Sequence, residues 1–292
     1  MRFLILTIGV LFSALSFGQN FTTHTFFSTN ETTLALDLFL PDLPSDQSSP
    51  LVIYVHGGGF SSGDRSEGHA LGQFLQQRGI ACATISYSLS MKGRTEDWSC
   101  NGILTEKIKT IQLAANQTWL ATTFLLKHAA DWQIDNSNIF LAGTSAGAET
   151  ILHAAYWDRE QMAMYQHQLA KDFHYAGLIS GAGAIMDLNL ITTDNHLPTF
   201  FMHGDADTIV PYGTAAHHYC PPHSSGWLML FGTASIAKHL ETLGGTHQTF
   251  SFKGAGHEVC GHYFHTEQQA LSSFINRVVT GIEFQEWVWR LP

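Results

Sequence analysis

Positive charge is scarce in this sequence. Its 14 lysines and arginines stand against 24 aspartates and glutamates, a formal net charge of −10, which argues against nucleic acid or an anionic membrane as a partner. Charge of either sign is thin, at 13% of residues, whereas 45% are hydrophobic, the balance of a well-buried globular protein. Beyond the first dozen residues no stretch is apolar for long enough to cross a bilayer, so stable membrane insertion is not expected. Internal repeats and low-complexity segments are missing. No shift in composition marks a second domain, and 292 residues suffice for one large α/β core.

The N-terminus has its own pattern. Met1-Arg2 is cationic, Phe3 to Phe12 is apolar but short, and Ser16 and Gly18 place small residues at the −3 and −1 positions of a cleavage site before Gln19. Residues 1–18 therefore read as a secretory signal peptide, and residues 19–292 as a single mature domain that is secreted or periplasmic. No cysteine stands at the cleavage point to carry a lipid.

The mature chain alternates strand and helix patterns. Phe21 to Phe27 and the alternating Leu34, Leu36, Leu38 and Leu40 suggest an antiparallel pair at a sheet edge. Leu51 to Val55 is a continuous apolar run, as in a parallel strand covered on both faces. A helix over Glu67 to Gln77, stopped by Gly79, leads to a strand over Ile80 to Tyr87. Ile103 to Ala130 reads as a long amphipathic helix. Further strands are expected at Ile139 to Ala142, Ala176 to Ser180, Pro198 to Met202 and, last, His247 to Phe252. Helices are expected at Phe231 to Leu243 and Thr266 to Val279, and residues 213–229 read as a loop. Strand, helix, strand implies an α/β fold with a mostly parallel, doubly wound sheet and helices on both faces. No insertion is large enough for a separate cap domain, so whatever covers a site on this sheet must be small.

One stretch concentrates chemistry. The apolar run Ile139 to Ala142 ends abruptly in Gly143-Thr144-Ser145-Ala146-Gly147, a strand, a sharp turn and a helix with a serine at the apex. The turn crowds the backbone around the serine, and the two glycines avoid that clash by lacking a Cβ. A serine hydroxyl is a poor nucleophile until an imidazole takes its proton, and the imidazole needs a carboxylate to fix its tautomer. Asp207, in His203-Gly204-Asp205-Ala206-Asp207-Thr208-Ile209-Val210-Pro211, and His257, in Gly254-Ala255-Gly256-His257, follow in the order Ser, Asp, His. Each lies just past the carboxyl end of an expected strand, where open α/β sheets build their sites. Upstream, His56-Gly57-Gly58-Gly59 follows the Leu51 to Val55 strand.

These four motifs, in this order, resemble the α/β-hydrolase superfamily, and within it the secreted or bacterial carboxylesterases with a His-Gly-Gly-Gly motif, a group that includes hormone-sensitive-lipase-like and feruloyl-esterase-like enzymes. The resemblance covers nearly all of residues 50–276. It implies a serine esterase that works through an acyl-enzyme on small-molecule esters, acylated carbohydrate among them, without a cofactor or metal. It assigns Ser145, Asp207 and His257 to catalysis and the backbone amides of Gly58, Gly59 and Ala146 to an oxyanion hole, such donors contributing about 2.7–4 kcal/mol each to the transition state. Its spacing ahead of Val210-Pro211 selects Asp207 over Asp205, which is left as a turn residue bonded to its own backbone, with Asp187 a more distant alternative. A serine peptidase on the same fold is the rival enzyme, but no extra recognition domain is visible. A catalytically silent binding module is the third reading, disfavoured because all three side chains are kept.

Other residues carry competing readings. With 17 histidines, a lone one means little. His56 reads as an anchor of its loop. The run His257, Cys260, His262, His265 invites a metal, but it lies in a loop entering a helix and lacks a fixed element to present ligands. Glu149, one turn beyond Ser145, reads either as a buried carboxylate paired elsewhere or as a surface charge. Asn116-Gln117-Thr118 is a glycosylation sequon inside an expected helix. Phe60, Trp98 and Trp227 are candidate pocket walls. Cys82, Cys100, Cys220 and Cys260 allow three pairings; Cys220 with Cys260 is favoured, because each follows a candidate catalytic residue at the same end of the sheet, and Cys82 reads as core. Oligomeric state has no signature in the sequence.

Overall fold

The computed structural model describes residues 20–44 and 46–291, so the expected signal peptide lies outside the described residues. The edge pair is as expected: β1 (Thr22–Ser28) runs antiparallel to β2 (Thr33–Phe39). Then come β3 (Ser49–Val55), α1 (His69–Gln76), β4 (Ala81–Ile85), α2 (Leu104–Lys127), β5 (Ile134–Thr144) and α3 (Ala146–Tyr156). The second half contributes β6 (Gly177–Gly181), β7 (Ala184–Ile185), β8 (Thr199–Gly204), β9 (Thr214–Ala216), β10 (Met229–Gly232), α4 (Thr233–Thr242), β11 (His247–Phe252), α5 (Gln268–Val279) and β12 (Gln285–Arg290).

Nine strands form one sheet in the order β1-β2-β4-β3-β5-β6-β8-β11-β12. Every neighbour pair from β4 to β12 is parallel, and β2, antiparallel to both β1 and β4, is the one strand of this sheet that runs against the rest. The period of two sorts side chains to the two faces. Along β3, Leu51, Ile53 and Val55 join the core beneath α2, α3 and α4, with Ile111, Trp119, Ile151 and Leu240. Val52 and Tyr54 point the other way, into the core under α1 and α5 with Leu71, Phe74, Leu271 and Phe274. Burial on both faces explains why these strands read as unbroken apolar runs. β5 sits at the centre, so the turn that leaves its carboxyl end is held on all sides.

Two expectations need correction. The sheet does not end at β11: β12 pairs with it in parallel, from His247 opposite Gln285 to Phe252 opposite Arg290. Its half-exposed sequence Gln-Glu-Trp-Val-Trp-Arg lacks the apolar run of a central strand because an edge strand needs none. Residues 213–229 are not all loop, since β9 begins inside them and, with β7 and β10, forms a separate three-stranded sheet. Strands of two to four residues are too short to show a period. This small sheet and the irregular segment carrying a 3-10 turn at Thr95–Trp98 flank the carboxyl ends of the central strands.

Candidate active site

Ser145 stands between β5 and α3 at φ 52° and ψ −123°, a positive φ that costs a non-glycine residue on the order of 1–3 kcal/mol. Its surroundings impose that conformation. The Ser145 amide donates to Gly181 O on β6 (2.7 Å), and its carbonyl accepts from Glu149 N (2.9 Å). A Cβ on Gly147 would run into the Val55 and His56 carbonyls, and one on Gly143 into Gly147 O. Both glycines are required by close approach rather than by their own φ, as the sequence suggests. The hydroxyl is thereby presented on a rigid base.

His257 opens the 3-10 segment His257–Phe264 after β11. Its Nε2 lies 2.7 Å from Ser145 Oγ, and its Nδ1 lies 2.6 Å from Asp207 Oδ2. A carboxylate only accepts, so Nδ1 carries the proton and Nε2 accepts from the serine hydroxyl. Asp207 Oδ1 accepts from the amides of Ile209 (2.8 Å) and Val210 (3.0 Å). The structure thus gives Asp207 the turn geometry expected of Asp205, whose Oδ1 instead accepts from Gly254 N in the histidine loop. Asp187 caps a 3-10 turn through Asn189 N and takes no part. Fully buried His203 closes the cluster. Its Nε2 donates to Val210 O (3.1 Å) and lies 3.2 Å from Asp207 Oδ2, while its Nδ1 is 2.9 Å from the Thr233 hydroxyl. Burial pushes the Asp207 carboxyl up, but hydrogen bonds from His203 and His257 outweigh it and hold the group below the usual carboxylate range.

Gly58 and Gly59 lie in the left-handed region, at φ 98° and 58°, and they line one cavity of about 380 Å³ with Ser145, Ala146 and His257. A Cβ on Gly58 would collide with Ser62 O. His56 anchors this loop: buried and held neutral by burial, it donates from Nδ1 to Gly57 O (2.8 Å) and stacks on Tyr87. The Tyr87 hydroxyl contacts the His56 and Gly57 carbonyls at 3.1 Å each. A hydroxyl, its base, the base's orienting acid and a glycine-rich loop therefore meet at one cavity, an arrangement able to carry out acyl transfer. A larger open groove of about 990 Å³ among residues 155–174 holds none of these side chains. Among the described residues no group of three or more His, Cys, Asp or Glu side chains is disposed to hold a metal.

Comparison with known proteins agrees with this architecture. The family model BD-FAE, bifunctional feruloyl/acetyl xylan esterase, matches residues 36–101, a segment that includes His56 to Gly59. A probable isoprenylcysteine alpha-carbonyl methylesterase of Arabidopsis thaliana is 32% identical over 116 residues, which is 39% of this chain and 20% of that protein. The chain thus spans about a fifth of the length of that curated relative. Esterase 2 of Thermogutta terrifontis is similar over nearly the whole chain. Its apo form superposes with a TM-score of 0.63 at 15% identity, covering 91% of this chain and 96% of that one. Its paraoxon-phosphorylated form gives 0.64 at 14%, covering 90% and 95%, and its propionate-bound form 0.61 at 15%, covering 90% and 96%. The chain has the α/β-hydrolase fold.

Within the α/β-hydrolase fold, the rest of the cavity wall combines Trp98, an expected pocket wall, and Glu149, whose burial the sequence leaves open, with two histidines that the sequence does not mark. Trp98, buried against Phe60 and His217, lines it together with Glu149, His217 and His218. Trp227 is not among the lining residues. Glu149 is a buried side chain, not a surface charge, and Oε1 is 3.6 Å from His217 Nε2. Lys107 of α2 is also fully buried, with Nζ donating to Gly226 O (2.8 Å). Lys107 is hidden in a helical pattern, and the His217-His218 pair in a stretch without a period. Asn116 is buried and donates to Gln112 O and Met162 O, so the sequon asparagine is committed to packing.

The disulfide joins Cys100 to Cys220, which corrects the favoured Cys220–Cys260 pairing. Cys260 is a free thiol in the segment under β6, packed against Gly181 and lining the cavity. Cys220 follows His217 and His218, which line the same cavity from another segment. Sharing one end of the sheet is therefore not enough to bring two cysteines together. Cys82 is free and buried, as expected.

Proposed function

We propose that this protein is a serine esterase that hydrolyses carboxylic esters through an acyl-enzyme. The observation that carries the reading is the unbroken chain of hydrogen bonds from Ser145 through His257 to Asp207, at 2.7 and 2.6 Å. Ser145 Oγ attacks the ester carbonyl while His257 Nε2 takes its proton. Asp207 holds Nδ1–H in place and stabilises the imidazolium that forms. The oxyanion is received by the amides of Gly58, Gly59 and Ala146. When the tetrahedral intermediate collapses, His257 gives the proton to the leaving alcohol. Water, activated by the same imidazole, then releases the acid and restores Ser145.

The substrates are modest esters, acylated carbohydrate among them. The BD-FAE match, the His56 to Gly59 loop and a cavity of about 380 Å³ without a cap domain favour this class. The proposed compartment lies outside the cytoplasm, after removal of residues 1–18; the Cys100–Cys220 disulfide favours an oxidising milieu. The Thermogutta terrifontis esterase 2 phosphorylated by paraoxon suggests the probe. A fluorophosphonate is expected to label the wild-type protein and not Ser145→Ala, and short-chain p-nitrophenyl ester hydrolysis should fall by at least about 10⁴-fold in that variant. Residual hydrolysis near the wild-type rate in Ser145→Ala would end this reading.

A further inference from the structure

The esterase mechanism leaves part of its own cavity unexplained. Glu149 follows Ser145 by four residues on α3, so its side chain stands one turn along the same helix face. It and His217 are each 1% exposed, and both line the cavity that holds Ser145 and His257. Their closest approach, Glu149 Oε1 to His217 Nε2, is 3.6 Å, too long for a hydrogen bond. Glu149 Oε1 and His217 Nδ1 are both buried without a protein partner. Leaving a polar group buried and unpaired costs about 1–3 kcal/mol, and here two residues that line the nucleophile's cavity each carry such an atom, with His217 turning Nε2 rather than the unpaired Nδ1 toward Glu149.

The surroundings define what would satisfy them. Trp98 packs edge-on to His217 at 5.0 Å and closes the recess on one side. The Lys107 ammonium is engaged by Gly226 O and sits 5.9 Å from the Trp98 ring. Burial drives the Glu149 carboxyl up to about 8, with Lys107 pulling it down and Asp207 pushing it further up. Burial also holds His217 well below its ordinary value, with His218 and Lys107 adding to the effect. At neutral pH the recess therefore offers a carboxylic acid and a neutral imidazole. One can donate and the other accept, which suits an uncharged group that does both.

We propose that Glu149 and His217 form a polar subsite that receives a hydroxyl of the substrate, so that the preferred esters carry a hydroxyl within reach of the scissile carbonyl. This inference rests on the esterase reading and names the substrate chemistry within it. The hydroxyl can belong to either half of the ester, a hydroxyaryl acyl group or a polyol leaving group. Two matched pairs separate these sources: methyl 4-hydroxycinnamate against methyl cinnamate, and a methyl 6-O-acetylglucoside against its 4-deoxy analogue. Wild-type kcat/KM should favour the hydroxylated member of one pair by about 10- to 100-fold. Glu149→Leu and His217→Phe should bring that ratio to within about twofold of unity, whatever they do to the absolute rate, and Glu149→Gln should retain part of it. Fluorophosphonate labelling counts intact sites in every variant. Should wild-type protein hydrolyse p-nitrophenyl acetate yet show no preference in either pair, the subsite is wrong and the esterase reading stands. A preference that persists unchanged in Glu149→Leu also removes the subsite. If no ester is hydrolysed and Ser145 is not labelled, the parent reading fails and this inference falls with it.

Discussion

Asp207 and Glu149 are both acids at 1% exposure beside the same serine, yet their surroundings drive them in opposite directions. The loop after β8 supplies Asp207 with two backbone amides, β8 itself and the segment after β11 add one imidazole each, and the carboxylate stays charged although burial opposes it. The first turns of α3 supply Glu149 with no hydrogen bond to Oε1, and burial wins. Depth alone does not set the state of a buried acid; the count of donors aimed at it does. One region is built to keep a charge, the other to keep a proton.

That contrast can be broken in three ways, in order of expected effect. Asp207→Asn keeps the shape but removes the charge, and its amide presents the wrong partner to His257 Nδ1; kcat on p-nitrophenyl acetate should fall by about 10⁴-fold. A loss under tenfold would mean that the Asp207 charge does not matter. Next, Cys100–Cys220 spans 120 residues and ties the Trp98 segment to the His217-His218 segment, the two sides of the Glu149 recess. Cys100→Ser with Cys220→Ser should lower the unfolding free energy by about 2–4 kcal/mol and raise KM more than it lowers kcat. Urea titration and steady-state kinetics measure both, and equal KM values would show that the wall holds its shape without the bridge.

The smallest effect concerns pH. Asp207 is depressed in the folded state, so it contributes stability above its unfolded value near 3.9, lost as pH falls toward the folded one. Glu149 has the opposite sign. Raised from its ordinary 4.5 to about 8, it makes the folded chain hold a proton that the unfolded chain has released, so between those values stability falls as pH rises. Glu149→Gln should therefore gain stability over wild type from pH 5 to pH 8, by about 1–3 kcal/mol at the upper end. A difference that does not change with pH between 5 and 8 would show that Glu149 is ionised in the fold, and the contrast with Asp207 would disappear.

Much of the central sheet was legible because fully buried parallel strands show as apolar runs, and β5, β8 and β11 are each followed by a candidate site residue. Ser145, Asp207 and His257 were readable for that reason, and Gly143 and Gly147 because a missing Cβ is a local requirement. The edge strand β12 was not, since half-exposed Trp287 and Trp289 leave no run. Neither was the role of His203, which sits in a quoted motif but acts by folding back onto Val210 and Asp207. Glu149, Lys107 and His217 come from α3, α2 and the segment after β9, and nothing local to any of them announces the other two.

The sequence by itself determined the order of Ser145, Asp207 and His257 along the chain and the turn that exposes Ser145, because both are set within a strand and the few residues after it. Which cysteines pair, which acid keeps its charge and what forms the cavity's far wall were decided only by tertiary structure. Those properties depend on distances between atoms far apart in the chain and on how completely water is excluded from between them.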